Sequence, residues 1–185
     1  MNEKSKEVRN MLEDVYENEV GYMVGTFYAD IFGYELEAWF KKDISVEYVE
    51  KNIKYLNNLD REFLVEICNA LRRYYEDYLE ILPDICEDMN PDIIKDFEKD
   101  PASILSYIEL GICEFDDYDI ADENIPVIKL GGDCAWSGDE GIRIVARNNQ
   151  LLYVGPWEDF NVWRCDRESI LGQRFNYAVP KEQKD

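Results

Sequence analysis

The spacing of apolar positions along this chain changes twice, and the changes mark out its elements. Residues Tyr22–Tyr28 and Tyr34–Phe40 are rich in aromatic and β-branched side chains, with Ala29-Asp-Ile-Phe-Gly33 between them. That pattern predicts a β-hairpin. The period then shifts to three and four: Ser45 is placed to cap a helix in which Val46, Val49, Ile53 and Leu56 share one face, ending near Asn57. Asp60 caps the next, where Phe63, Ile67, Leu71, Tyr74 and Tyr78 form an apolar stripe. Arg72 and Arg73 there stand one turn before Glu76 and Asp77 on the solvent side, and Pro83 stops the helix. Asn90-Pro91 and Asp100-Pro101 each set a capping side chain before a proline at the first helical position, predicting two short helices, the second ending near Ser106. Ahead of the hairpin, Val8, Met11, Leu12 and Val15 recur at helical spacing and predict a short or frayed helix before Glu19.

Strand texture returns with Ile108–Phe115, Ile125–Leu130, Gly141–Ala146 and Gln150–Gly155. The last two are joined by Arg147-Asn148-Asn149, whose asparagines accept the left-handed backbone of a tight turn. Strands, helices and strands in that order predict an α+β fold: a mainly antiparallel sheet from the N-terminal hairpin and the C-terminal strands, with the middle helices packed on one face. The length suits one domain over residues 1–185, and neither a repeat nor a Ser/Gly-rich linker divides it.

Composition narrows the partners. The chain carries 41 acidic and 20 basic residues, a formal net charge of −21. Such a field repels nucleic acid and anionic membranes and draws in a basic protein or a cation; it also simply keeps a protein dissolved. Five cysteines, Cys68, Cys86, Cys113, Cys134 and Cys165, are scattered without a Cys-x-x-Cys pair, which predicts reduced thiols in a cytoplasmic protein. The charged start and the lack of a long apolar run give no sign of export or membrane insertion.

Histidine is absent, which removes Ser-His-Asp and Cys-His catalysis and His-ligated zinc together. Gly131-Gly132 lacks the Lys-Ser/Thr of a phosphate loop, so no nucleotide cofactor is implied. The run from Asp116 to Glu123 gathers carboxylates without the spacing of a calcium loop and reads as a solvated segment. Cys134 lies among Asp133, Asp139 and Glu140, negative neighbours that raise a thiol pKa, and so reads as a structural cysteine. The expectation is therefore no catalytic residue, no metal ligand set and no cofactor. Trp136, Trp157 and Trp163 concentrate near the C-terminus with Asp139, Glu140, Glu158 and Asp159. Rigid aromatics ringed by acids suit a surface that recognises a basic partner; the same tryptophans suit a core, and the sequence leaves both open.

Pro126-Val-Ile-Lys-Leu130, Asp133-Cys-Ala-Trp136, Asp139-Glu-Gly-Ile142, Leu151-Leu-Tyr-Val-Gly155 and Trp163 together resemble the C-terminal block of an uncharacterised group of bacterial domains with an acid-Cys-x-Trp segment and a Glu-His-Gly turn. Here Glu140 and Gly141 adjoin without the histidine, so no role of that residue carries over. Small acidic domains of this kind resemble the immunity proteins encoded beside bacterial polymorphic toxins. The resemblance implies a protein that binds, such as one that occludes a basic toxin domain, and the aromatic and acidic residues Trp136, Asp139, Glu140, Trp157, Glu158, Asp159 and Trp163 are the candidates for that surface. The alternatives are a metal- or carboxylate-dependent hydrolase and an oligomerising subunit.

Overall fold

The computed structural model describes residues 11–81, 92–116, 123–159, 161–163 and 170–180. Seven strands form one sheet in sequence order: β1 Glu13–Glu17, β2 Met23–Ala29, β3 Tyr34–Phe40, β4 Ile108–Phe115, β5 Val127–Cys134, β6 Ser137–Arg147 and β7 Gln150–Gly155. Neighbours are antiparallel except β3 and β4, which run parallel with Glu37 opposite Ile112 and Phe40 opposite Phe115. A parallel pair needs a crossover. The crossover is the whole helical middle of the chain: α1 Val46–Leu56, α2 Arg61–Ile81, α3 Ile93–Lys99 and a 3-10 helix, Pro101–Tyr107. That one connection puts the helices against one face of the sheet, an α+β fold.

Strand alternation then sorts the side chains. Phe27, Leu36, Ala38, Phe40, Cys113, Leu130, Ile144 and Val154 share the helix-covered face and are buried there with Val49, Ile53, Leu71 and Tyr74 of α1 and α2. Trp39, Glu114, Lys129, Arg143, Val145 and Tyr153 point to the opposite face.

The capping signals act as read. Ser45 accepts from the Tyr48 N–H, Asp60 from the Phe63 N–H at 2.7 Å, and Asp100 from the Ala102 N–H. Asn148 and Asn149 both take positive φ, 52° and 57°, in the β6–β7 turn. β5 and β6 exceed the expected spans, because β5 continues through Gly131-Gly132 and the hairpin closes at Cys134 opposite Ser137, around Ala135-Trp136. The helix expected before Glu19 is corrected: Glu13–Glu17 is strand β1, paired antiparallel with β2 and broken by an irregularity where Asp14 has a φ of 52°. Leu12 is buried and packs where Gly25 has no side chain. The spacing of Val8, Met11, Leu12 and Val15 fits a helix, but the open edge of β2 offers backbone partners that a short, solvated helix lacks. Pro83, Asn90-Pro91, Cys86, Cys165 and the run from Asp117 to Asp122 lie outside the described residues.

The free edge of β7 is closed by the C-terminal segment. Asn176, fully buried, accepts from the Val154 N–H and donates to the Leu152 carbonyl at 2.7 Å, and the Tyr177 N–H donates to Val154 O at 2.7 Å. This folds residues 170–178 back toward the strand that leads into the site.

Candidate functional site

After Gly155 the chain turns back across the sheet face that the helices leave uncovered. A Cβ at Gly155 would lie 2.2 Å from the Phe175 carbonyl, so glycine permits the close approach of the C-terminal segment. Tyr153 Oη donates to Pro156 O at 2.9 Å, and the Trp157 N–H donates to Glu140 O at 2.8 Å. These bonds seat the Trp157 indole on the guanidinium of Arg143, 3.9 Å from the ring centroid. Gly131 makes the seat, since a Cβ there would fall 2.3 Å from the indole.

Beneath the indole lies a buried charge cluster. Arg143 and Lys129 are only 1% and 3% exposed, and taking such cations out of water costs several kcal/mol each unless partners compensate. Arg143 Nη1 stands 3.1 Å from Glu114 Oε2, while Nε has no hydrogen-bond partner among the described residues. Lys129 Nζ meets Glu114 and Asp116 at 3.0 Å each and Asp159 at 3.5 Å. Burial works against the Lys129 charge, but Asp116 and Glu114 outweigh it and hold the ammonium pKa above its ordinary value. Asp116 also accepts from the Val162 N–H at 2.7 Å, tying the returning chain to the sheet.

Beside Trp157, between α2, the start of β6 and the C-terminal segment, opens a cavity of about 710 Å³. Tyr74, Tyr78 and Ile81 come from α2; Asp139 and Glu140 from β6; Pro156, Trp157 and Glu158 follow β7; Arg174, Phe175 and Tyr177 complete the lining. The aromatic wall is ordered by its own contacts: Tyr74 stacks on Tyr177 with centroids 5.0 Å apart and meets Tyr78 edge-on at 6.0 Å. Tyr177 Oη donates to Asp77 at 2.6 Å, and Arg73 donates to the Tyr177 carbonyl at 2.7 Å and 2.9 Å. Burial raises the Tyr74 and Tyr177 pKa values, so both stay neutral phenols. Asp139, Glu140 and Glu158 are exposed, which lets their charge reach solvent and any approaching ligand. A shallower trough of about 370 Å³, floored by Gly111, Gly131, Gly132 and Gly141, shares Trp157, Asp139 and Glu140 as its other wall.

Four of the sequence candidates, Asp139, Glu140, Trp157 and Glu158, therefore line one cavity. The other three lie apart from it. Trp136 is fully buried in the β5–β6 turn, edge-on to Tyr74 and Tyr75 at 5.7 Å each, and is a core residue that presents no surface to a partner. Asp159 stands over Lys129, and Trp163 is half-buried with Arg147 5.9 Å from its ring. Trp157 is both things the sequence left open: one side covers Arg143, yet the residue is 42% exposed. Arg143, Lys129, Tyr74, Tyr78, Phe175 and Tyr177 are not among the site residues that the sequence names, Tyr74 and Tyr78 reading only as a helix's apolar stripe. A faint signal existed in Lys129 and Arg143, cations set inside apolar strand runs. Cys134 is buried, and burial first, with Asp133 and Glu140 adding, pushes its thiol to about 12, which leaves it inert at neutral pH.

A family model, domain of unknown function (DUF6985), matches residues 10–162. The chain belongs to this family. No curated protein and no solved structure matches it. The DUF6985 span takes in the whole sheet, the charge cluster and Trp157, but stops before Arg174, Phe175 and Tyr177. One wall of the cavity is thus supplied by chain beyond the matched span. Among the described residues no group of three His, Cys, Asp or Glu side chains is placed to hold a metal ion, and no helix is long and apolar enough to cross a membrane.

Proposed function

We propose that this DUF6985 member is a non-catalytic, immunity-like binding domain that recognises a basic protein, such as a toxin domain, through the surface around Trp157. The observation that carries the reading is the convergence of Asp139, Glu140 and Glu158 with an exposed tryptophan on one cavity. Long-range attraction from a chain of net charge −21 speeds encounter with a cationic partner. An aromatic anchor then sets residence time, since truncating one at an interface centre removes about 2–4 kcal/mol. We assign this binding to the bacterial cytoplasm, where thiols such as Cys68, Cys113 and Cys134 stay reduced.

The test is capture of the partner from host extract on immobilised protein, reconstitution of the purified pair, and binding kinetics across a salt series. Association slows as salt rises. Glu158→Lys slows it further and flattens the salt dependence, whereas Trp157→Ala mainly speeds dissociation. A reconstituted pair whose association ignores both salt and Glu158→Lys overturns the proposal.

A further inference from the structure

The cavity beside Trp157 has the size and lining of a site for one kind of side chain. At about 710 Å³ it falls within the roughly 300–1,000 Å³ typical of ligand pockets. Its lining brings together the aromatic rings of Tyr78, Trp157 and Phe175, the carboxylates of Asp139, Glu140 and Glu158, and one guanidinium, that of Arg174, so the acids outnumber the base. An apolar ligand makes no use of the three carboxylates, and an anion is repelled by them. A cation satisfies both. Among cations, a guanidinium is flat, weakly hydrated and able to lie on an aromatic face while its N–H groups reach carboxylates; an ammonium is compact and strongly hydrated, and holds its water more firmly.

The chain already lays a guanidinium against an aromatic ring twice at this place, once with a carboxylate beside it. Beneath Trp157, the Arg143 guanidinium lies 3.9 Å from the indole centroid with Glu114 3.1 Å away. At the rim, Arg174 sets its guanidinium 4.9 Å from the Phe175 ring. Resting on the proposed function above, we propose that the cavity is the anchor site for an arginine side chain of the basic partner, held between aromatic rings and paired with Glu140 and Glu158. The chemistry of the occupant is thereby narrowed from a basic protein to an arginine presented on its surface.

Three blocked amino-acid amides probe this directly: N-acetyl-arginine amide, its lysine counterpart, and its citrulline counterpart, which keeps the shape without the charge. Binding is read from the indole N–H resonance of Trp157, assigned with Trp157→Phe. The expected result is a saturable shift with the arginine compound, an affinity at least about threefold weaker with lysine, and no shift with citrulline. The double substitution Glu140→Gln with Glu158→Gln, at two exposed positions, weakens the arginine compound about fivefold or more without lowering the melting temperature. Phe175→Leu weakens it too, which separates stacking from charge alone. Equal response to arginine and lysine, or a Trp157 resonance that stays still at saturating arginine, overturns the assignment. A twelve-residue polyarginine peptide at low salt distinguishes the two levels: if it binds while Trp157 stays still, the cavity assignment fails and the broader reading survives. If it does not bind at all, both fail.

Discussion

Gly131 and Trp157 form a fitted pair, and at the scale of single residues the site depends on that fit. A Cβ at position 131 would meet the indole at 2.3 Å and Arg143 Nη1 at 3.1 Å, with the Trp157 backbone already tied to Glu140. Gly131→Ala is therefore expected to lever the indole off Arg143 and destabilise the fold by about 1–3 kcal/mol, seen as a lower denaturation midpoint and a moved Trp157 indole resonance. Trp157→Ala exposes the buried guanidinium as well as removing the anchor, so its melting temperature and its binding kinetics must be measured on the same sample. The buried thiols give a second prediction. Burial pushes Cys68, Cys113 and Cys134 to about 12, while an unfolded thiol ionises near 8.5. Above that lower value the unfolded chain releases protons that the native chain keeps, so stability is full below about pH 8.5 and falls as pH climbs toward the native values, by up to about 1.4 kcal/mol per thiol per pH unit. Denaturant titrations at successive alkaline pH values check the slope, and a disulfide-exchange reagent at neutral pH is expected to leave these three thiols untouched until the protein unfolds.

At the scale of elements, two buried asparagines join pieces that the ladder alone leaves loose. Asn176 accepts from the Val154 and Ala178 N–H groups and donates to the Leu152 and Ile170 carbonyls, so one side chain closes the β7 edge and holds the C-terminal segment in place. Asn176→Ala leaves several buried groups unpaired and is expected to cost at least about 2 kcal/mol. Hydrogen exchange at the Val154 amide should rise in step, and the Phe175 and Tyr177 wall of the cavity should loosen with it. Asn52 does the same between α1 and β5, accepting from the Val127 N–H at 2.7 Å. Element identities were legible because capping and turn chemistry is local: Ser45, Asp60, Asp100 and the Asn148-Asn149 turn each act within a few residues. β1 was misread because its strand state comes from β2, a partner that the sequence spacing of Val8, Met11, Leu12 and Val15 does not contain.

At the scale of the whole molecule, charge dominates. Several acids are paired locally, as Glu17 with Lys42 at 2.7 Å and Glu76 with Arg72 at 2.8 Å, but 41 acids against 20 bases leave a large excess. Self-repulsion of that excess weakens the compact state, and salt screens it over about 8–10 Å at physiological strength. The melting temperature is expected to rise with added sodium chloride, and a flat or falling series by differential scanning calorimetry would show that repulsion is not what limits stability. The pairs of Lys129 with Glu114 and Asp116 are sheltered from salt, so the net response measures the exposed acids.

The sequence by itself determined the α+β class, the helical middle between two sets of strands, the β6–β7 turn and the acidic field, because periodicity, caps, left-handed turns and net charge are properties of neighbours or of sums. It also named Asp139, Glu140, Trp157 and Glu158, since acids beside a tryptophan are visible in order. Only the tertiary structure decided that Trp136 is core while Trp157 covers Arg143 and borders a cavity. That decision turns on packing: Tyr74 and Tyr78 of α2 lie far along the chain from Trp157, Phe175 and Tyr177 follow beyond the sheet, and nothing local in the sequence says that they meet. Gly131 reads as an ordinary strand break until the indole is seen filling the space its missing side chain leaves.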